Sequence, residues 1–115
     1  MYGLTVRWSL QGVDADVAQR LRTYVVDTSL ERFTAMPGLR FKTWRMRPGE
    51  WFEGTYVWAT PAARDGFQAT FTREAAGSPG SRIVGAGPVL IEPFEVVAVA
   101  EGAEGFTAGP GSPQP

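Results

Sequence analysis

Hydrophobic and polar residues alternate through the opening segment of the chain. In residues 3–10, one side of an extended backbone carries the apolar side chains Leu4, Val6, Trp8 and Leu10. A period of two is typical of a strand that buries one face, so this segment is predicted to form the first strand. Residues 89–100 are predicted to form the last strand. Pro93 places that strand at a sheet edge or a bulge, because proline lacks the amide that a central strand needs.

The first helical pattern follows the opening strand. Apolar residues recur at helical spacing after Asp14 and Asp16, either of which could accept hydrogen bonds from the free amides of the first turn. The apolar stripe shifts at residues 27–29, which predicts a kink or a restart of the helix there. Pro37-Gly38 is predicted to stop it.

The second helix is predicted to begin at Thr60-Pro61, an N-cap residue followed by proline at the first helical position. Gly66 costs a helix about 1 kcal/mol relative to alanine, which indicates a bulky neighbour close to it. Residues 77–80, rich in glycine and proline, should end the helix. Residues 82–88 are expected to be an irregular connection or a short extra strand.

An aromatic-rich hairpin is predicted for residues 37–58. An even-length loop centred on Pro48-Gly49 gives the cross-strand pairs Trp44 with Glu53, Phe41 with Tyr56, and Leu39 with Trp58. One face of the hairpin would then include Phe41, Arg45, Tyr56 and Trp58. The opposite face would include Trp44, Met46, Trp51 and Val57, so neither face is simply polar.

The order strand, helix, hairpin, helix, strand predicts a ferredoxin-like βαββαβ domain in residues 1–101, of the α+β class. Its antiparallel sheet would carry both helices on one face. The other face needs a cover, and a homodimer formed through Trp44, Met46, Trp51 and Val57 would supply it. Residues 102–115 are rich in glycine and proline and are expected to form a tail that lies across a neighbour.

Composition narrows the possible chemistry. The chain has no histidine and no cysteine, which excludes a Ser-His-Asp relay, thiol nucleophiles and the usual zinc, copper and haem ligand sets. Eleven basic and twelve acidic residues give a net charge of -1, and no basic stretch alternates with aromatic residues, so nucleic acid is a poor candidate partner. The absence of a long apolar run and of a signal-peptide pattern predicts a cytoplasmic protein without a membrane span.

Two motifs carry a resemblance to a known family. Pro37-Gly38-x-x-Phe41-Lys42-x-Trp44 is followed by Glu53-Gly54-x-Tyr56-x-Trp58. Over residues 4–100 the chain resembles the dimeric α/β-barrel proteins, and within them the YdhR-like mono-oxygenases, relatives of the antibiotic-biosynthesis mono-oxygenases. The resemblance implies a homodimer, a pocket between sheet and helices, and no bound metal, flavin or haem. Related mono-oxygenases oxidise aromatic polyketides with molecular oxygen alone.

Candidate site residues follow from the hairpin pairing. Arg45 would share a face with Tyr56 in an apolar setting, where an unpaired guanidinium is expensive, so these two residues are the candidates for anion stabilisation or proton transfer. A salt bridge or an exit to solvent is the alternative for Arg45. Lys42 would lie at the dimer rim, and Glu53 would pair with Arg40 or Lys42. The aromatic candidates for substrate binding are Trp8, Tyr24, Phe41, Trp44, Trp58, Phe67 and Phe71.

These features favour a cofactor-independent enzyme that acts on an aromatic or polycyclic small molecule in bacterial specialised metabolism, with oxygenation as the first hypothesis. Such chemistry needs a substrate that becomes electron-rich on deprotonation, a proton acceptor and a donor for the developing oxyanion. Two alternatives stay open. A non-oxidative cyclase, isomerase or dehydratase could use the same pocket, or the protein could be a non-catalytic dimer that binds a ligand.

Overall fold

Four antiparallel strands form one sheet in the computed structural model, which describes residues 1–111. The strands are β1 (Tyr2–Ser9), β2 (Leu39–Arg47), β3 (Trp51–Trp58) and β4 (Leu90–Glu95). The helices are α1 (Val17–Tyr24), α2 (Leu30–Thr34), α3 (Pro61–Glu74) and α4 (Pro79–Val84). The strand order β2-β3-β1-β4 is the ferredoxin-like order, so the predicted fold class is confirmed.

The core lies between the helices and one side of the sheet, which we call the helix face. Leu4 and Val6 of β1 have no exposed surface, and Trp58 of β3 is also buried. The helices contribute Val17, Leu21, Phe33 and Val84 to the same cluster. Within residues 1–111, this cluster takes its sheet residues from the helix face alone, and we call the opposite side of the sheet the open face.

The first helical region is longer than a single α-helix. A π-helical segment, Val25–Ser29, joins α1 to α2 without a break. Because a π turn holds one extra residue, it rotates the apolar stripe, which explains the shift predicted at residues 27–29. Asp16 occupies the N-cap position of α1, as predicted. The predicted capping hydrogen bond is wrong, because the Asp16 side chain makes none.

The second helical region confirms one prediction and corrects two. Thr60 caps α3 by accepting a hydrogen bond from the amide of Ala63 at 3.1 Å. Nothing lies within 4 Å of a Cβ placed on Gly66, so the expected bulky neighbour is absent from the described structure. Residues 82–84 of the segment predicted as irregular instead end α4, which begins with Ser78 at its N-cap and Pro79 at its first position, inside the segment predicted only to end the preceding helix.

The last strand is shorter than predicted and ends at Glu95. Pro93 is tolerated because β4 pairs only with β1 and forms a sheet edge. Residues 96–111 contain no helix or strand, and the predicted tail is exposed over residues 102–111, while residues 112–115 lie outside the described part. Within residues 1–111, no helix combines the length and apolar character needed to cross a membrane.

The predicted hairpin register is wrong by one residue over most of its length. The strands are joined by a three-residue loop, 48–50, in which Gly49 has a φ of 78°. Lys42 therefore lies opposite Tyr56, and Arg45 lies opposite Glu53. A bulge between Leu39 and Phe41 restores only the predicted pair Leu39 with Trp58.

This shift exchanges the two faces of β2, because neighbouring strand residues point to opposite sides. Trp44 and Met46 belong to the helix face rather than to the predicted dimer surface. Arg45 points to the open face, away from the side occupied by Tyr56. The expected pairing of Glu53 with Arg40 or Lys42 is therefore also wrong.

Glu53 is instead the centre of a charged cluster on the open face, although only 1% of the residue is exposed. Arg7 donates to its Oε2 from Nε at 2.8 Å, and Arg45 donates to its Oε1 from Nε at 2.9 Å. Thr55 adds a hydroxyl donor at 3.1 Å. Burial alone would raise the pKa of Glu53, but the bonds from Arg45 and Arg7 outweigh it and hold the pKa below its ordinary value.

Candidate functional site

A cavity of about 550 Å³ lies between the helix face of the sheet and the helices. The α2 helix, the C-terminal part of α3 and the start of α4 supply its walls. Aromatic side chains dominate the lining: Trp8, Tyr24, Phe33, Trp44, Phe52, Tyr56, Phe67 and Phe71. A volume and lining of this kind suit a planar apolar ligand of small-molecule size.

The aromatic rings hold one another in place. The ring of Phe67 lies 4.9 Å from that of Tyr56 and 6.0 Å from that of Phe71, measured between centroids. Trp58 stacks on Tyr56 with an interplanar angle of 8°. Offset and tilted contacts of these kinds stabilise aromatic clusters beyond their buried area, so the lining is preorganised rather than loose.

Lys42 is the polar centre of this aromatic site. Its Nζ donates to the hydroxyl oxygen of Tyr56 at 3.0 Å. The same nitrogen lies 3.6 Å from the centroid of Phe33 and 4.6 Å from that of Trp44. Within residues 1–111, no carboxylate lies within ion-pair distance of Lys42.

Gly54 provides the room that Lys42 needs. A Cβ placed on Gly54 would lie 3.1 Å from Cε of Lys42 and 3.4 Å from Cε1 of Tyr56. The Lys42 side chain therefore passes over Gly54. On β3, this glycine lies between Tyr56, the cross-strand partner of Lys42, and Phe52. A larger residue at position 54 would press on both polar groups of the site.

Burial shifts the titration of both groups. Removal from water lowers the pKa of Lys42 well below its ordinary value, and the neighbouring charge of Arg32 lowers it further. Burial raises the pKa of Tyr56, with a smaller opposing effect from Arg32. The amine can therefore lose its proton under milder conditions than a surface lysine, while the tyrosine stays a neutral hydroxyl.

The α4 segment closes one wall of the cavity and accepts a hydrogen bond from β1. The indole nitrogen of Trp8 donates to Oγ of Ser81 at 3.0 Å, and Ser81 donates in turn to the carbonyl oxygen of Ala75 at 2.6 Å. A Cβ on Gly80 would lie 3.0 Å from the Trp8 ring, so the glycine permits this close approach. These contacts fix the orientation of Trp8 in the lining.

The structure brings together most of the predicted aromatic site. Six of the predicted residues line the cavity: Trp8, Tyr24, Trp44, Tyr56, Phe67 and Phe71. Trp58 lies behind Tyr56 and does not line it. Phe41 and Arg45 point to the open face, so the geometric premise for placing them in the pocket is wrong.

Sequence reasoning missed the cations of the cavity. Lys42 was assigned to a dimer rim because the pairing was shifted by one residue, and Arg32 and Arg73 also contribute to the lining. The available signal was the four-residue turn at Arg47-Pro48-Gly49-Glu50, which fits a three-residue loop with glycine in the left-handed conformation. Among the described residues, no group of His, Cys, Asp and Glu has the arrangement of a metal site.

Comparisons with known proteins include a similarity to a solved structure. No protein-family model matches the chain. No curated protein matches it either. A solved structure described as "putative Antibiotic biosynthesis monooxygenase from Chloroflexus aurantiacus J-10-fl" is similar with a TM-score of 0.47 and 14% sequence identity. The similarity covers 94% of this chain and 98% of that chain.

Proposed function

We propose that this protein is a cofactor-independent, mono-oxygenase-like enzyme that acts on an aromatic or polycyclic small molecule in bacterial specialised metabolism. The observation that carries the proposal is the Lys42–Tyr56 hydrogen bond inside an aromatic cavity. The sequence resemblance to the YdhR-like group supports the oxygenase assignment, and the cytoplasm is the proposed location.

The pair can perform the two tasks that such chemistry requires. The unprotonated amine of Lys42 can accept a proton from an acidic C–H or O–H of the substrate, because its pKa is lowered by burial. The resulting ammonium and the Tyr56 hydroxyl can then donate to the enolate oxygen. In the aromatic cavity this stabilisation is stronger than it would be in water.

Dioxygen is the oxidant in this proposal. An electron-rich carbanion reduces dioxygen, and a carbon–oxygen bond forms to give a hydroperoxide. Loss of water from the hydroperoxide leaves a ketone. A methylene group and one dioxygen thus become a carbonyl group and one water. The protein residues exchange only protons, so the reaction needs no electron donor other than the substrate.

Anthrone is a suitable test substrate because it is a planar tricyclic ketone whose methylene group is acidic. We expect the purified protein to accelerate formation of anthraquinone, with one dioxygen consumed per product, above the spontaneous rate. Liquid chromatography and an oxygen electrode measure both quantities. Equal rates with and without protein, over a panel of enolisable tricyclic ketones and phenols, would contradict the oxygenase proposal.

A non-oxidative cyclase, isomerase or dehydratase is the second candidate. The specific observation in its favour is the hydrogen bond between Lys42 and Tyr56, because two such groups could catalyse a reaction by proton transfer alone, which does not require oxygen. Product formation that continues under strict anaerobiosis would identify this class. A non-catalytic binding protein would use the same unfilled cavity of about 550 Å³, and the lowered pKa of Lys42 beside the Tyr56 hydroxyl favours an enzyme over it.

We also propose that the protein forms a homodimer through the open face, which includes Phe41 and Trp51. Phe41 is 39% exposed, an unusual position for a phenylalanine on a sheet. We expect a dimer in sedimentation velocity and a monomer after Phe41→Glu. Val97→Glu is the control, since Val97 is 90% exposed beyond the last strand. A monomeric wild type at micromolar concentration would contradict the proposal.

A further inference from the structure

Two positively charged side chains approach the same ring at the cavity. The guanidinium carbon of Arg32 lies 4.9 Å from the centroid of Phe33, and Nζ of Lys42 lies 3.6 Å from it. In the described part of the chain, neither side chain forms an ion pair. The charge of Arg32 also lowers the pKa of Lys42, because two positive charges repel each other, and a low-dielectric site strengthens that repulsion.

The other charges of the lining do not cancel this excess. Arg73, near the end of α3, adds a third positive side chain, and Glu74 supplies a carboxylate. Both residues are exposed, and Glu74 makes no ion pair with a cation of the lining in residues 1–111. The cavity therefore combines aromatic walls with an excess of positive charge.

We infer that the ligand of this cavity is a planar aromatic acid whose ionised oxygen lies between Lys42 and Arg32. The inference rests on the proposed function, because it places the ligand in the same cavity, and it adds the charge of that ligand. An acid that transfers its proton to the Lys42 amine leaves an anion beside the resulting ammonium and the Arg32 guanidinium, and this anion accepts charge-assisted hydrogen bonds from them. The ligand rings would contact Phe33, Tyr56 and Phe67.

Charge, rather than ring area, then decides specificity. A neutral aromatic alcohol of the same size can fill the lining but leaves both cations without a partner. An aromatic amine adds a further positive charge and is repelled. Arg32 is exposed, so salt screens part of its attraction for the anion, whereas salt screens the buried Lys42 amine less.

The test measures binding of three matched probes by isothermal titration calorimetry at pH 7. The probes are 2-naphthoate, 2-naphthalenemethanol and 2-naphthylmethylammonium. We expect the acid to bind about tenfold more tightly than the alcohol, which corresponds to about 1.4 kcal/mol. The amine should bind most weakly, and the difference in affinity between the acid and the alcohol should become smaller in high salt.

Variants separate the role of Arg32 from general effects of charge. Arg32→Gln should weaken binding of 2-naphthoate about fivefold, less than the loss of a buried charge-assisted hydrogen bond because Arg32 is exposed, while binding of the alcohol stays the same. Arg20→Gln is the matched control, because Arg20 is an exposed helical arginine that does not line the cavity. It should leave the affinity for all three probes unchanged.

The outcomes distinguish this inference from the proposed function. Equal affinity for acid and alcohol, or no binding of any probe, overturns the anion assignment. An equal effect of Arg32→Gln and Arg20→Gln overturns it as well. Selective binding of the acid with no turnover of any substrate supports the anion assignment and contradicts the enzymatic proposal.

Discussion

Replacement of Lys42 by methionine is expected to lower turnover at least 100-fold without lowering the melting temperature. The loss follows because a positioned acid or base contributes about 10²–10⁴ to a rate. Stability should be unchanged or higher, because methionine fills a similar volume and removes a buried amine that has no ion-pair partner within residues 1–111, which offsets the loss of its hydrogen bond to Tyr56. Initial rates with anthrone and a thermal melt measure the two effects.

Lys42→Arg and Thr23→Met provide the controls for this experiment. Arginine keeps the positive charge but cannot act as a base, so Lys42→Arg should not restore turnover. Thr23 is an exposed residue outside the cavity lining, and Thr23→Met should keep wild-type rates. A Lys42→Met protein that melts well below wild type and keeps its turnover would show a structural lysine instead.

The pH dependence of the same variant provides an independent check. Because the pKa of Lys42 is lowered in the folded state, the unfolded chain binds this proton more tightly. Wild-type stability should therefore gain from this group as pH rises from the folded pKa toward 10.5. The gain in unfolding free energy from Lys42→Met should be largest below the folded pKa of Lys42 and should shrink as pH rises from that pKa toward 10.5. Turnover of the wild type should rise with pH through the same folded pKa.

The fold could be predicted from the sequence because strong, local signals carry it. Alternation in residues 3–10 and the pair Thr60-Pro61 each depend on neighbouring residues alone. The α4 helix was predictable in the same way, since Ser78-Pro79 repeats the capping signal of Thr60-Pro61. The glycines around it predict a loop, and they outweigh the capping signal because the helix is only six residues long.

The site was harder to predict because it depends on whether the β2–β3 loop has an even or an odd number of residues. A two-residue loop at Pro48-Gly49 and a three-residue loop at 48–50 differ by a single residue, yet they place Lys42 and Arg45 on opposite faces. Most of the aromatic lining was still predicted correctly, because most of its residues come from elements other than β2. Lys42 was not predicted to line the cavity, because it lies on β2, the strand whose register was wrong.

Replacement of Glu53 by glutamine is expected to destabilise the protein by about 2 kcal/mol at neutral pH. Loss of one partner from a buried ion pair costs about 3–5 kcal/mol. That figure is reduced here because the side chains of Arg7 and Arg45 are 35% and 55% exposed and can turn toward water. Urea unfolding followed by tryptophan fluorescence measures the difference.

Glu50→Gln is the matched control, because Glu50 pairs with Arg47 at 3.0 Å in an exposed position. Exposed pairs contribute about 0–1 kcal/mol, so this variant should stay close to wild type. Equal losses of stability in Glu53→Gln and Glu50→Gln would contradict a buried ion-pair centre at Glu53.

Acid titration gives the sign of the Glu53 contribution. Its folded pKa lies below the ordinary value of 4.5, so the contribution is fully present above that pH and is lost as pH falls through the folded pKa. The difference between wild type and Glu53→Gln should therefore be constant near neutrality and should diminish in acid. A difference that instead grows on acidification would mean that the carboxyl is protonated more readily in the folded protein, contrary to its four donor contacts from Arg7, Arg45 and Thr55.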